Sequence, residues 1–163
     1  ACCDEIVNGI PTFGWDYPIS HLDVPEDKRE EEVFLTEDLC VISDKWFFVR
    51  GCIEIPVIGH DDPFIWGVWV SLSEDNFMEF QDLLGVEKRS RYGPYFGWLS
   101  AAINIYPETE NLKTKVHIRD NGNRPYIELE PTDHPLSLEQ KHGITIDRVA
   151  DIYANRVHGK KIA

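Results

Sequence analysis

Turn chemistry and charge together specify a hairpin within residues 112–130. Asp120-Asn121-Gly122-Asn123 consists of residues that tolerate positive φ, as a tight turn between two strands requires. When the flanking runs fold back across it, Val116 faces Ile127 and Thr114 faces Leu129. On the opposite side Lys115 meets Glu128 and Lys113 meets Glu130. Opposite charges directly across strands contribute up to about 1 kcal/mol each, so one side is solvated and the other belongs to a core.

Other strands follow from alternation. Leu39–Ile42 and residues 46–57 are strand-like. In the second run Phe47, Val49, Gly51, Ile53 and Ile55 fall on one face, expected to be core. Trp46, Phe48, Arg50, Cys52 and Glu54 fall on the other, with Arg50 and Glu54 about 13 Å apart at about 3.3 Å per residue. Residues 64–72 form the next strand, after a polar turn at Gly59-His60-Asp61-Asp62-Pro63. Ser73 is suited to cap a helix over 74–84 with a stripe of Phe77, Phe80 and Leu84, ended by Gly85. Residues 86–100 read as loop, with Gly93-Pro94-Tyr95-Phe96-Gly97-Trp98 folding back as an aromatic lid or plug. Ser137-Leu138-Glu139-Gln140 has the capping-box pattern, and Gly143 would stop that helix. A last helix over 146–157 would bury Ile146, Val149, Tyr153 and Val157.

Residues 1–24 are rich in turn formers yet carry Phe13, Trp15 and Tyr17, so an ordered loop layer is expected. Pro25 then opens a short helix with Glu26 and Asp27 in its first turn. The expected fold is α+β: a mainly antiparallel sheet with helices packed on one side and a loop-rich N-terminal layer. The 163 residues suit a single domain over 1–163.

Charge narrows the function. Asp and Glu number 29 against 16 Lys and Arg, a formal charge of −13, which opposes nucleic acid and anionic membrane as partners. The excess is local: residues 1–62 hold fifteen acidic and four basic side chains, a net of −11. Such a concentration serves either solubility or the docking of a basic partner. No window has the roughly 18 consecutive apolar residues of a membrane span. Ala1-Cys2-Cys3-Asp4-Glu5 lacks the basic start and apolar run of a signal peptide, and the missing initiator Met points to trimming. Cys40 and Cys52 lie in apolar runs as small buried hydrophobes, which favours a reducing, cytoplasmic setting.

No P-loop, dinucleotide fingerprint, zincin motif, nucleophile elbow or complete EF-hand is present. Cys2 and Cys3 are soft donors, but adjacent cysteines do not readily ligate one tetrahedral zinc. His60-Asp61-Asp62 combines ligand types with turn chemistry, and His117 pairs across the hairpin with Tyr126. His134 either acts as base or ligand or fixes its corner through a backbone hydrogen bond. Trp66, Trp69 and Trp98 are the aromatic candidates for binding; Trp66 and Trp69 face opposite ways, so one is core and the other is free to anchor an interface.

The chain resembles a bacterial family, domain of unknown function 2199. The resemblance rests on Asp38-Leu39-Cys40-Val41-Ile42, on the run from Phe47 to Val57, on Trp66-Gly67-Val68-Trp69-Val70-Ser71-Leu72-Ser73 and on Tyr95-Phe96-Gly97-Trp98-Leu99. It continues through Arg124-Pro125-Tyr126-Ile127-Glu128-Leu129-Glu130 and His134-Pro135-Leu136 with Gln140 and Gly143-Ile144. The resemblance implies an N-terminal Cys-x-x-Cys-Gly…His element. Here Cys3 falls on its second Cys, Asp4 on the Gly and Val7 on the His, so a zinc element would be degenerate.

The expectation is a non-enzymatic acidic recognition protein of immunity type, neutralising a basic protein partner. The partner-binding residues would be Glu26, Asp27, Glu30, Glu31 and Glu32, with Glu37 and Asp38 at the rim. No metal and no cofactor is expected. The alternatives are an enzyme with its site near Arg50, Glu54 and His134, or the degenerate zinc-binding N-terminal element.

Overall fold

The computed structural model describes residues 9–159. Eight strands share one sheet: β1 (Thr12–Gly14), β2 (Val33–Leu35), β3 (Leu39–Ile42), β4 (Trp46–Ile55), β5 (Phe64–Leu72), β6 (Tyr95–Leu99), β7 (Lys113–His117) and β8 (Tyr126–Leu129). The helices are α1 (Arg29–Glu32), α2 (Glu74–Asp82), α3 (Pro135–His142) and α4 (Ile146–His158), with 3-10 turns at Ile19–Asp23 and Glu26–Lys28. The class is α+β.

β4 and β5 form a long antiparallel hairpin running from Phe47↔Leu72 to Ile55↔Phe64. From β5 the sheet passes antiparallel through β6, β7 and β8. β8 then returns to β4 in parallel at Cys52↔Tyr126, where the Cys52 N–H donates to the Pro125 carbonyl at 2.9 Å. Strands β4 to β8 therefore close into a five-stranded barrel, which reading the strands one by one did not foresee. Gly51 makes the closure possible: a Cβ there would lie 2.6 Å from Ile127 Cδ1 and 2.9 Å from the Pro125 carbonyl oxygen. The first half of β4 carries β3, then β2, while β1 adds to β5 in parallel.

The hairpin has the register written in its sequence, Thr114↔Leu129, Lys115↔Glu128, Val116↔Ile127 and His117↔Tyr126. Both faces of β4 are used. Phe47, Val49, Ile53 and Ile55 enter the main core with Trp66, Val68, Leu99, Val116 and Ile127. Phe48 on the other face joins Cys40, Ile42, Trp69 and Val24 in a second cluster, against which Trp15 and Val33 pack. Neither Trp66 nor Trp69 is an interface anchor, since both are fully buried. Their indole N–H groups donate to Tyr106 Oη (3.3 Å) and to the Trp15 carbonyl (3.0 Å).

Several local expectations are corrected. Residues 95–99 are a strand rather than a lid. Tyr95, Gly97 and Leu99 point inward while Phe96 and Trp98 are exposed, so an apolar outer face masked the alternation. α2 has its Ser73 cap but ends at Asp82; Leu83 is buried and Leu84 exposed because the chain has left the helix. The capping box at 137–140 is not formed. His134 caps α3, and Gln140 instead bonds β8, donating to the Ile127 carbonyl and accepting the Leu129 N–H, both at 2.8 Å. α4 buries Val149, Ile152 and Ala154 and exposes Ile146 and Val157, a stripe rotated from the expected one.

Candidate functional site

The second cluster forms the floor of a groove of about 720 Å³. Val24, Ile42 and Phe48 lie beneath it, and Trp46 and Trp98 rise beside it, exposed to 54% and 42%. The 3-10 turn Ile19–Asp23 builds one wall, held to the sheet by Ile19 N–H donating to the Ser100 carbonyl at 3.1 Å. Asp23 and Glu32 place carboxylates on the lining, and Ser43 Oγ donates to Glu32 Oε2 at 3.3 Å. Among the described residues no Lys or Arg lines the groove and neither carboxylate is in an ion pair. Each of the two tryptophans has an ammonium group over its ring: Lys45 Nζ lies 5.4 Å from the Trp46 ring centre and Lys113 Nζ 6.0 Å from that of Trp98.

The seven expected partner-binding acids divide. Glu26, Asp27, Glu30 and Glu31 are exposed along one continuous segment, the turn Glu26–Lys28 and α1. Glu32 ends that segment at the groove. Glu37 and Asp38 sit in the β2–β3 turn, at the opposite end of that strand pair. Asp38 is committed there, accepting from Arg124 Nε at 3.0 Å.

Arg50, Glu54 and His134 have separate partners. Arg50 lies over the Trp69 ring at 5.7 Å and donates to the Glu37 carbonyl at 3.2 Å, while Glu54 pairs with Arg119 at 2.5 Å. His134 Nδ1 accepts the Leu136 N–H at 3.1 Å, and its Nε2 is 3.2 Å and 3.1 Å from the Pro107 and Glu108 carbonyls. The two carbonyls at Nε2 and the Leu136 N–H at Nδ1 occupy both ring nitrogens, so the ring fixes its corner through backbone hydrogen bonds. His60, Asp61 and Asp62 line a shallow depression of about 340 Å³ beside Glu54 and Tyr126. Among the described residues no three His, Cys, Asp or Glu side chains gather as a metal site requires. Cys2, Cys3, Asp4 and Val7, and with them the zinc element, lie outside the described residues. Cys40 and Cys52 are free thiols, and burial pushes Cys40 up to about 12.

Trp46 and Asp23 were not among the residues singled out from sequence. Trp46 gave one cue, an aromatic on the outward side of an alternating strand, whereas Asp23 becomes a groove residue only when the 3-10 turn docks. No helix among the described residues is long and apolar enough to cross a membrane. No curated protein and no solved structure matches the chain. One family model does match, over residues 1–144, the span that carries the barrel, the groove and α3. On that match the chain belongs to the family described as "Uncharacterized protein conserved in bacteria" (DUF2199).

Proposed function

We propose that this is a non-enzymatic recognition protein that docks a basic protein on the acidic surface of its N-terminal third, as an immunity-type inhibitor does. One observation carries the reading: Glu26, Asp27, Glu30 and Glu31 are exposed along one segment, which also carries Lys28 and Arg29, without ion pairs among the described residues, and Glu32 leads from them into the groove. Like charges concentrated this way destabilise the free protein, and a basic partner relieves them. Complementary charge accelerates encounter and rejects acidic competitors. Free thiols at Cys40 and Cys52 suit a reducing, cytoplasmic setting.

The test is binding to the product of the neighbouring gene, whatever that product proves to be, measured from about 50 to about 300 mM salt. Affinity should fall at least about tenfold over that range, and by a similar factor when Glu26, Asp27, Glu30 and Glu31 become Ser. A salt-insensitive affinity, or one unchanged in the serine variant, would overturn the proposal. So would the absence of a complex.

A further inference from the structure

We propose that the groove between Trp46 and Trp98 is the specificity pocket for one arginine side chain of the basic partner. This rests on the docking reading above and adds what the pocket selects. The exposed glutamates attract any polycation, whereas the groove has shape. Its floor of Val24, Ile42 and Phe48 suits the three-methylene stem of arginine. Asp23 and Glu32 stand on its lining without a basic partner among the described residues, so a guanidinium entering there neutralises charge that the fold leaves open.

Arginine is favoured over lysine by the aromatic walls. A guanidinium is planar, stacks on indole faces and is more weakly hydrated than an ammonium. Lys45 and Lys113, a sequence neighbour and a cross-strand neighbour of the two tryptophans, already place ammonium groups 5.4 Å and 6.0 Å from the ring centres. Neither lysine lines the groove, but each places a positive charge beside one of its tryptophans that repels an incoming guanidinium, so binding tightens when one is removed. The serine hydroxyls of Ser20 and Ser71 offer acceptors to the remaining guanidinium donors. The volume of about 720 Å³ exceeds one side chain and leaves room for peptide backbone on either side.

The test follows the five indole N–H signals of the full chain by NMR during titration with the capped tripeptide acetyl-Gly-Arg-Gly-amide. The Trp46 and Trp98 signals should shift saturably, with Kd on the order of 1 mM, while those of buried Trp66 and Trp69 stay in place. The Gln tripeptide should bind at least about fivefold more weakly, and Glu32→Gln should weaken the Arg peptide by about three- to tenfold. Lys45→Gln should tighten it by about twofold, which a neutral-ligand site would not do.

Equal shifts from the Gln peptide, or indifference to both Glu32→Gln and Asp23→Asn, would overturn the pocket. So would a saturable response to a neutral oligosaccharide with none to arginine, which would make the groove a sugar site. If hexa-arginine perturbs amides 26–32 but not the two indoles, the docking reading stands and the pocket falls. If hexa-arginine perturbs neither, both fall.

Discussion

Cys40 has no exposed surface, and burial pushes its thiol from an ordinary 9.0 up to about 12. The thiolate is the reactive form, so at pH 8 the folded protein presents on the order of one ionised Cys40 in ten thousand. Alkylation of Cys40 at pH 8 should therefore wait for global unfolding, as mass spectrometry across a urea series would report. Modification in native buffer at the rate of a free thiol would contradict this. The same shift makes stability depend on pH. Above 9.0 the unfolded thiol loses its proton while the folded one keeps it, so stability present below 9.0 falls as pH rises toward about 12. Tyr106, raised mainly by burial and then by its hydrogen-bonded Glu139, acts in the same direction above 10.0. The urea midpoint should be lower at pH 10.5 than at pH 8. Some residue-scale features were plain in the sequence: a cysteine in an apolar run, a Ser cap, a glycine after a helix. Gly51 was not, because its necessity comes from Ile127 and Pro125, which reach it only when the barrel closes. Gly51→Ala should cost about 1–3 kcal/mol by overpacking, read as a lower thermal midpoint with the fold otherwise retained.

At the scale of elements, what was legible is what each segment states by itself. The β7–β8 register was readable because apolar and charged pairs match across one turn, with no other element needed. β6 was hidden because exposed Phe96 and Trp98 stand where polar residues would have marked a strand. Gln140 fits a capping box locally, yet β8 offers it a free N–H and a free carbonyl, and the tertiary bonds win. Those bonds make α3 a brace along the last barrel strand. Gln140→Ala leaves the Leu129 N–H and the Ile127 carbonyl without these partners, at about 1–3 kcal/mol. Hydrogen exchange at Leu129 should rise with it, while exchange in α2 changes only with global stability. Unchanged protection at Leu129 would remove the brace from the account. α4, just beyond the family match, is tied in by Arg148 donating to Glu139 at 2.9 Å, and Glu139 in turn accepts from Tyr106 Oη at 2.7 Å.

At the scale of the whole molecule, acidity divides by region. In the hairpin Lys115 stands in register with Glu128, which His117 contacts at 3.2 Å, while among the described residues Glu26, Asp27, Glu30 and Glu31 of the turn Glu26–Lys28 and α1 are in no ion pair. That asymmetry was countable in the sequence, and so was the expected acidic set. The groove was not, because Trp46, Trp98, Asp23 and Glu32 come from four separate elements and meet only once the second cluster forms. On the proposed reading, a basic protein docks where the acidic segment meets this groove. Hydrogen-exchange mapping of the complex with the product of the neighbouring gene tests it most directly. Protection should appear over residues 19–32 and around Trp46 and Trp98, with the outer side of β7–β8 unchanged. Protection confined to the hairpin, or spread evenly over the chain, would contradict it.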